Sequence, residues 1–200
     1  HQQYAMIPDR VGSFTGNAEN PNDRFTPFSS GDMIEEVIDH YRQWCGSSFF
    51  DDYLAAIKSN TRMDGRSDRE QSLIIWEDDN VLLFVPKAQT SQWELQLMTK
   101  PKKDYWPGTI VEADLTTRES LDTGILKAQK CLARRGARMV TSIEYSKRFD
   151  RKTLKQPLIY CLMPKLPESP GAFSETQLRF INGHYPEDFA AVCRGEDCEG

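Results

Sequence analysis

Hydrophobic positions fall into two kinds of run along this chain, and the clearest lie between Trp76 and Lys100, WEDDNVLLFVPKAQTSQWELQLMTK. Val81 to Val85 is continuously apolar, the pattern of a strand covered on both faces. Trp93, Leu95, Leu97 and Thr99 alternate with their neighbours, which marks a strand with one buried face. Asp78-Asp79-Asn80 supplies the turn before the first run, and Lys87–Gln92 is the polar link between the two.

Helical spacing comes earlier. Met33, Ile34, Val37, Ile38, Tyr41 and Trp44 predict a helix following Asp32, with Ser30 or Asp32 as N-cap and Gly46 as its stop. Phe49, Phe50, Tyr53, Leu54 and Ile57 predict a second, capped by Ser47 or Ser48. Ser59–Gln71 is a charged link, and Ser72–Trp76 reads as a strand leading into the hairpin.

After the hairpin, Pro101–Leu115 is a long connection with a short strand expected at Thr109–Ala113. Thr116 or Thr117 is expected to cap the longest helix, which buries Leu121, Ile125, Ala128, Cys131 and Leu132 and stops at Gly136. Strands follow at Arg138–Tyr145 and Pro157–Met163, joined by the loop Ser146–Gln156. A proline-rich turn, a short helix from Ser174 to Ile181 and a helical turn at Tyr185–Phe189 close the pattern. This order predicts an α+β fold with a mainly antiparallel sheet and one long linking helix. It makes one domain: residues 1–69 as an irregular arm and two helices, residues 70–192 as the core, and residues 193–200 as a flexible acidic tail.

Composition narrows the class. Two hundred residues suffice for a real core, and ten Phe, seven Tyr and four Trp argue against disorder. No apolar run approaches a bilayer span, and the first residues carry no signal-peptide pattern, so a cytoplasmic protein without a membrane partner is expected. A net charge of −5 gives no general attraction to nucleic acid. The distribution is uneven, however: Lys127 to Lys155 carries ten basic residues against Glu144 and Asp150, a local surface suited to a phosphate or another anion.

Five cysteines is an odd number, and Cys45, Cys131 and Cys161 sit inside apolar patterns, as buried free thiols would. Cys193 and Cys198 form at most a bridge or half of a metal site. His1 lacks a patterned partner, and His40 lies beside an apolar stripe, the position of a packed or surface histidine. No metal and no cofactor are expected.

The segment Asn80–Lys100 resembles the histidine-triad superfamily, in particular its galactose-1-phosphate uridylyltransferase branch. The residues that carry the resemblance are Asn80, Val85-Pro86, Ala88, Trp93-Glu94 and Leu97, and the order of elements over residues 70–185 agrees with it. It implies a histidine-triad-like core and a homodimer. The two N-terminal helices read from the spacing are an extension to that core without a counterpart in the family. In that superfamily the last core strand carries alternating histidines, one of which attacks the α-phosphate of a nucleotide. Here the strand reads QPLIYCLM, Leu158 and Tyr160 stand where the resemblance places histidines, and no histidine lies between His40 and His184. The family reaction is therefore not expected.

The resemblance then implies a remodelled pocket lined by Asn80, Phe84, Gln89, Trp93, Tyr145 and Gln156, with Lys147, Arg148 and Arg151 supplying charge. Three functions follow from it. The first is binding of a nucleotide, sugar phosphate or related small ligand without nucleotidyl transfer. The second is a lyase, isomerase or cyclase using Tyr160, Glu94 or His184 as acid or base. The third is an interaction module with no small ligand.

Overall fold

The computed structural model describes residues 8, 10–12, 24–103, 105–151, 155–165 and 183–197. A short ladder of β1 (Val11–Gly12) and β2 (Arg24–Phe25) precedes two helices, α1 (Ser30–Cys45) and α2 (Phe49–Lys58). The sheet is built from β3 (Ile74–Glu77), β4 (Val81–Phe84), β5 (Leu95–Thr99), β6 (Met139–Tyr145) and β7 (Ile159–Lys165). Helix α3 (Leu115–Arg134) links β5 to β6, and α4 (Pro186–Asp197) follows β7. Strand order is β3-β4-β5-β7-β6, antiparallel throughout. The expected helix at 174–181 lies outside the described residues.

Each boundary has a local cause. At the start of α1 the Ser29 amide donates to Asp32 Oδ2 at 2.8 Å, so the N-cap is Ser29 and the helix begins three residues, less than one turn, earlier than a cap at Asp32 would allow. Gly46 closes α1 in the left-handed region at φ 72°. In the β3–β4 turn, Asp78 Oδ1 accepts from the amides of Asn80 and Val81 at 2.8 and 2.9 Å. Helix α3 is capped by Asp114, not Thr116 or Thr117: its carboxylate accepts from the Thr117 amide at 2.8 Å. Residues 109–113 form turns, not a strand, because the Glu112 and Ala113 amides both return to the Thr109 carbonyl. Helix α4 continues to Asp197 and buries Cys193.

The sheet is covered on both faces. On one, Leu83, Val85, Leu95, Leu97, Leu158 and Leu162 pack against α3 and α4 through Leu121, Cys131, Leu132, Phe189 and Cys193. On the other, Leu82, Phe84, Met98, Trp106 and Ile159 pack against α1 and α2 through Ile38, Phe50 and Ile57. This double cover is why β4 reads as an unbroken apolar run. Helix α1 buries Ile38 and half-buries Ile34, while Met33, Val37 and Trp44 face outward and Cys45 is exposed. Half of its sequence stripe is therefore surface.

Basic residues of the β6–β7 loop secure the two helices. Arg148 forms a forked pair with Asp32 at 2.7 and 2.8 Å and also donates to the Pro27 carbonyl. Arg151 meets Glu35 at 3.2 Å, and Lys155 lies 3.9 Å from Asp51. No helix among the described residues is long and apolar enough to cross a membrane.

Candidate functional site

Strand register divides the candidate residues between the two faces. Tyr160 pairs with Leu97 and, with Leu158, belongs to the cluster under α3 and α4. Trp93 lies on that side too, stacked on Phe189 with centroids 6.1 Å apart, and the His184 ring meets Phe189 from another direction at 5.3 Å. Both His184 ring nitrogens are buried without a hydrogen-bond partner among the described residues. Burial lowers its pKa, opposed by the nearby Asp188 charge.

Glu94 points the other way. It is 1% exposed, and its carboxylate gathers five hydrogen bonds. Oε2 accepts from the Thr90 amide and hydroxyl at 2.6 and 2.8 Å and from the Ser91 amide at 3.3 Å. Oε1 accepts from Gln96 at 3.0 Å and from the Cys161 thiol at 3.1 Å. These bonds close the β4–β5 link and hold Trp93 at φ 60°, a left-handed conformation that side-chain-bearing residues adopt rarely. Gln89 donates to the Glu94 carbonyl at 3.5 Å from within the same link.

A polar row therefore crosses the α2 side of the sheet: Glu94 and Gln96 on β5 and its approach, Cys161 on β7, Tyr145 on β6, and Tyr53 on α2. The Cys161 thiol is pushed up by burial and then by the Glu94 charge and hydrogen bond. Burial, helped by Glu94, pushes Tyr53 up to about 12, and Tyr145 is raised by burial, Cys161 and Glu94. Each stays protonated at neutral pH. Gln96, Cys161 and Tyr53 are not among the site residues expected from the sequence, where Cys161 and Tyr53 figure only as a buried thiol and a helix-stripe residue. The available signal was the strand period itself, since Glu94 and Gln96 occupy the phase opposite to Leu95 and Leu97, and Cys161 the phase opposite to Tyr160.

Beside this row an open groove of about 280 Å³ is lined by Tyr53, Ile57, Asn60, Thr61, Leu73 and Lys87, among others. The Lys87 ammonium stands at its rim, donating to Asn60 Oδ1 at 2.9 Å and to the Thr61 carbonyl at 2.6 Å. Asn60 is held in turn by the Gln71 carbonyl at 2.7 Å and by Glu187 at 3.0 Å. The groove combines an apolar wall with one cation and several amide and hydroxyl groups.

The remaining candidates lie elsewhere. Asn80 is at the opposite end of β4, bonded to Ser120 at 2.9 Å and to Lys102. Phe84 is fully buried beneath Tyr53. Gln156 is fully buried near Gly31, and its amide has no hydrogen-bond partner among the described residues. The Lys147 side chain is 1% exposed and paired with Glu112 at 2.9 Å; Arg148 and Arg151 make the α1 pairs already described. Among the described residues, no three His, Cys, Asp or Glu side chains gather as a metal site.

No protein-family model matches the chain, and no curated protein matches it in sequence. Solved structures do. A uridylyltransferase superposes with a TM-score of 0.65 at 14% identity, over 88% of this chain and 55% of that one. A GALT-like protein from Arabidopsis thaliana gives 0.56 at 18% identity, over 85% and 51%. An ADP-glucose phosphorylase from Arabidopsis thaliana with bound ADP-glucose gives 0.54 at 16% identity, over 85% and 50%. The chain spans about half the length of these structures. The chain, with its five-stranded antiparallel sheet and linking helix, thus shares the fold of these uridylyltransferase and GALT-like structures.

Proposed function

We propose that the protein binds a nucleotide, sugar phosphate or related small ligand on the α2 side of its sheet, without histidine-dependent nucleotidyl transfer. The observation that carries this reading is the content of β7 and the residue before it. Leu158 and Tyr160 are committed to the α3 core, while Ile159 and Cys161 are the residues facing the polar row. A leucine or isoleucine offers no nucleophile, and a thiol raised by burial and a carboxylate holds its proton. Similarity of fold to sugar-nucleotide enzymes raises the expectation of such a ligand, although fold alone does not fix function.

The groove sets the scale. At about 280 Å³ it lies just below the usual range for small-molecule sites, room for a base or a sugar phosphate rather than a dinucleotide. Lys87 would meet the anionic part, and Tyr53 and Leu73 the apolar face. The test is a thermal-shift series with nucleoside monophosphates, UDP-glucose, ADP-glucose and hexose phosphates, followed by mass spectrometry of the protein. A ligand that binds only the folded state raises the midpoint. The expected result is a shift with at least one of these, weakened in Lys87→Ala, and no covalent nucleotidyl adduct. No shift at millimolar ligand removes the binding reading; an adduct removes the non-catalytic one. A homodimer is expected by the same likeness, and sedimentation velocity decides it.

A further inference from the structure

We propose that Cys131 and Cys193 form a disulfide that fastens α4 to α3. The two residues are 62 positions apart in the chain, yet their sulfurs meet at 2.7 Å between the helices. Both are fully buried, in the apolar cluster that also holds Leu132, Phe189 and Ala190. The other described cysteines are placed differently: Cys45 is exposed on α1, and Cys161 lies on the opposite face of the sheet against Glu94. The helices thus align one pair of thiols for oxidation.

The chemistry is thiol–disulfide exchange with a small-molecule disulfide such as oxidised glutathione. One protein thiolate attacks a glutathione sulfur and releases one glutathione thiolate, leaving a mixed disulfide. The second protein thiolate attacks the protein sulfur of that mixed disulfide and releases the other glutathione. Two protein S–H bonds are lost and one S–S bond forms, while the oxidant is reduced to two thiols that take up the two protons. Because both sulfurs are buried, the first step requires α4 to lift or the chain to be folding.

The link would act on more than the two helices. Arg194 of α4 donates to the carbonyls of Ser72 and Ile74 at 3.2 and 2.6 Å, which caps the outer edge of β3. Asp188 holds Arg62 at 2.7 Å, and Glu187 holds Asn60, the residue that positions Lys87 at the groove. Fastening α4 therefore steadies the connection between α2 and β3 together with the groove rim.

The experiment incubates the folded protein, and separately refolds it, in a glutathione redox buffer. Denaturing alkylation and peptide mapping then locate any link. The expected result is a cross-linked peptide joining Cys131 to Cys193, loss of two hydrogens in the intact mass, and a thermal midpoint several degrees above that of the reduced protein. Reduction should abolish the rise, and Cys131→Ser should abolish both link and rise. The proposal fails if both cysteines remain fully alkylatable after native incubation and after refolding. It fails equally if Cys193 is found linked to Cys198 or Cys45. The mapping uses the unaltered chain, so it decides the matter even where the serine variant folds poorly.

Discussion

The Cys161 thiol donates to the Glu94 carboxylate at 3.1 Å, and Gln96 donates to the same oxygen at 3.0 Å. A carboxylate beside a buried thiol stabilises S–H over S⁻, so burial and charge act in the same direction. Alkylation follows the thiolate, and exposure compounds the difference. With iodoacetamide at neutral pH, exposed Cys45 should react first and Cys161 only on unfolding. Labelling of Cys161 at a rate comparable to Cys45 would show that the polar row is open to solvent and the pairing with Glu94 is loose.

Glu94 also fixes the β4–β5 link. Glu94→Ala deprives the Thr90 and Ser91 amides, the Thr90 hydroxyl, Gln96 and Cys161 of their shared acceptor. An unsatisfied buried donor costs about 1–3 kcal/mol, and solvent entering the link recovers some of them. A loss of at least ~3 kcal/mol is expected in urea unfolding, a large share of the ~5–15 kcal/mol typical of a domain. Glu94→Gln keeps the shape and should lose less. Equal losses in the two variants would mean that packing, not the carboxylate, holds the link.

Two glycines separate side-chain tolerance from backbone collision. A Cβ at Gly124 in α3 would lie 2.6 Å from Leu97 Cδ1, the movable end of a buried side chain. Alanine there gains about 1 kcal/mol of helix propensity against an overpacking cost of about 1–3 kcal/mol, so the net loss should be small. At Gly108 the added carbon would lie 2.4 Å from the Gln156 carbonyl oxygen and 2.8 Å from Lys147 Cδ. Backbone cannot swing aside. Chemical denaturation should rank Gly108→Ala well below Gly124→Ala, and the reverse order would overturn this account.

Much of the fold was legible because the apolar runs are long and their periods clean. The hairpin, the long helix and the two later strands stand close to where alternation and helical spacing put them, and the antiparallel order followed. Boundaries were less legible where polar side chains decide them. Asp114 caps α3 although two threonines follow it, and the turns at Thr109 depend on a returning carbonyl that composition does not reveal. The site was the least legible. A strand pattern tells which residues share a face, but not which face a later helix will fill. Tyr160 and Glu94 were paired as acid-base candidates, whereas α3 lies on the side of the first and α2 on the side of the second. The basic loop looked like an anion surface because sequence distance hides Asp32 and Glu35 from Arg148 and Arg151.

Arg62 sets an acid limit on stability. Its side chain, 1% exposed, holds Asp64 and Asp188 at 2.9 and 2.7 Å. The hydrogen bonds from Arg62 lower Asp64 to about 2 and lower Asp188 as well. Both carboxylates are thus depressed below their unfolded values, so their stabilisation is complete above the ordinary carboxylate range and is lost as pH falls toward about 2. Asp114 behaves likewise, lowered to about 2 by hydrogen bonds from Thr117. The unfolding midpoint should fall steadily between ~pH 4 and ~pH 2. Arg62→Ala should lower the midpoint at neutral pH and flatten this acid slope without abolishing it, because the Asp114 cap remains. An unchanged slope would remove the Arg62 carboxylates from the acid response.

Helices α1 and α2 are expected to be inseparable from the sheet, because they supply one whole side of its apolar cover. Phe50 is 3% exposed and sits against Tyr53 and Trp106, with ring centroids 6.4 and 6.0 Å away. Phe50→Ala should cost about 3–5 kcal/mol, since the ring is lost and the cavity lies between a helix and a rigid sheet. The Arg148–Asp32 pair has a smaller part. Its depressed Asp32 reflects mainly the Arg148 hydrogen bond, but the pair is partly solvated and should contribute about 1 kcal/mol or less. Deleting residues 1–59 should therefore leave Phe84, Met98 and Trp106 uncovered and abolish cooperative unfolding, whereas Asp32→Asn should leave it intact. A truncated chain that still melts cooperatively would show that the sheet and α3 suffice for a core, and that the two helices only decorate it.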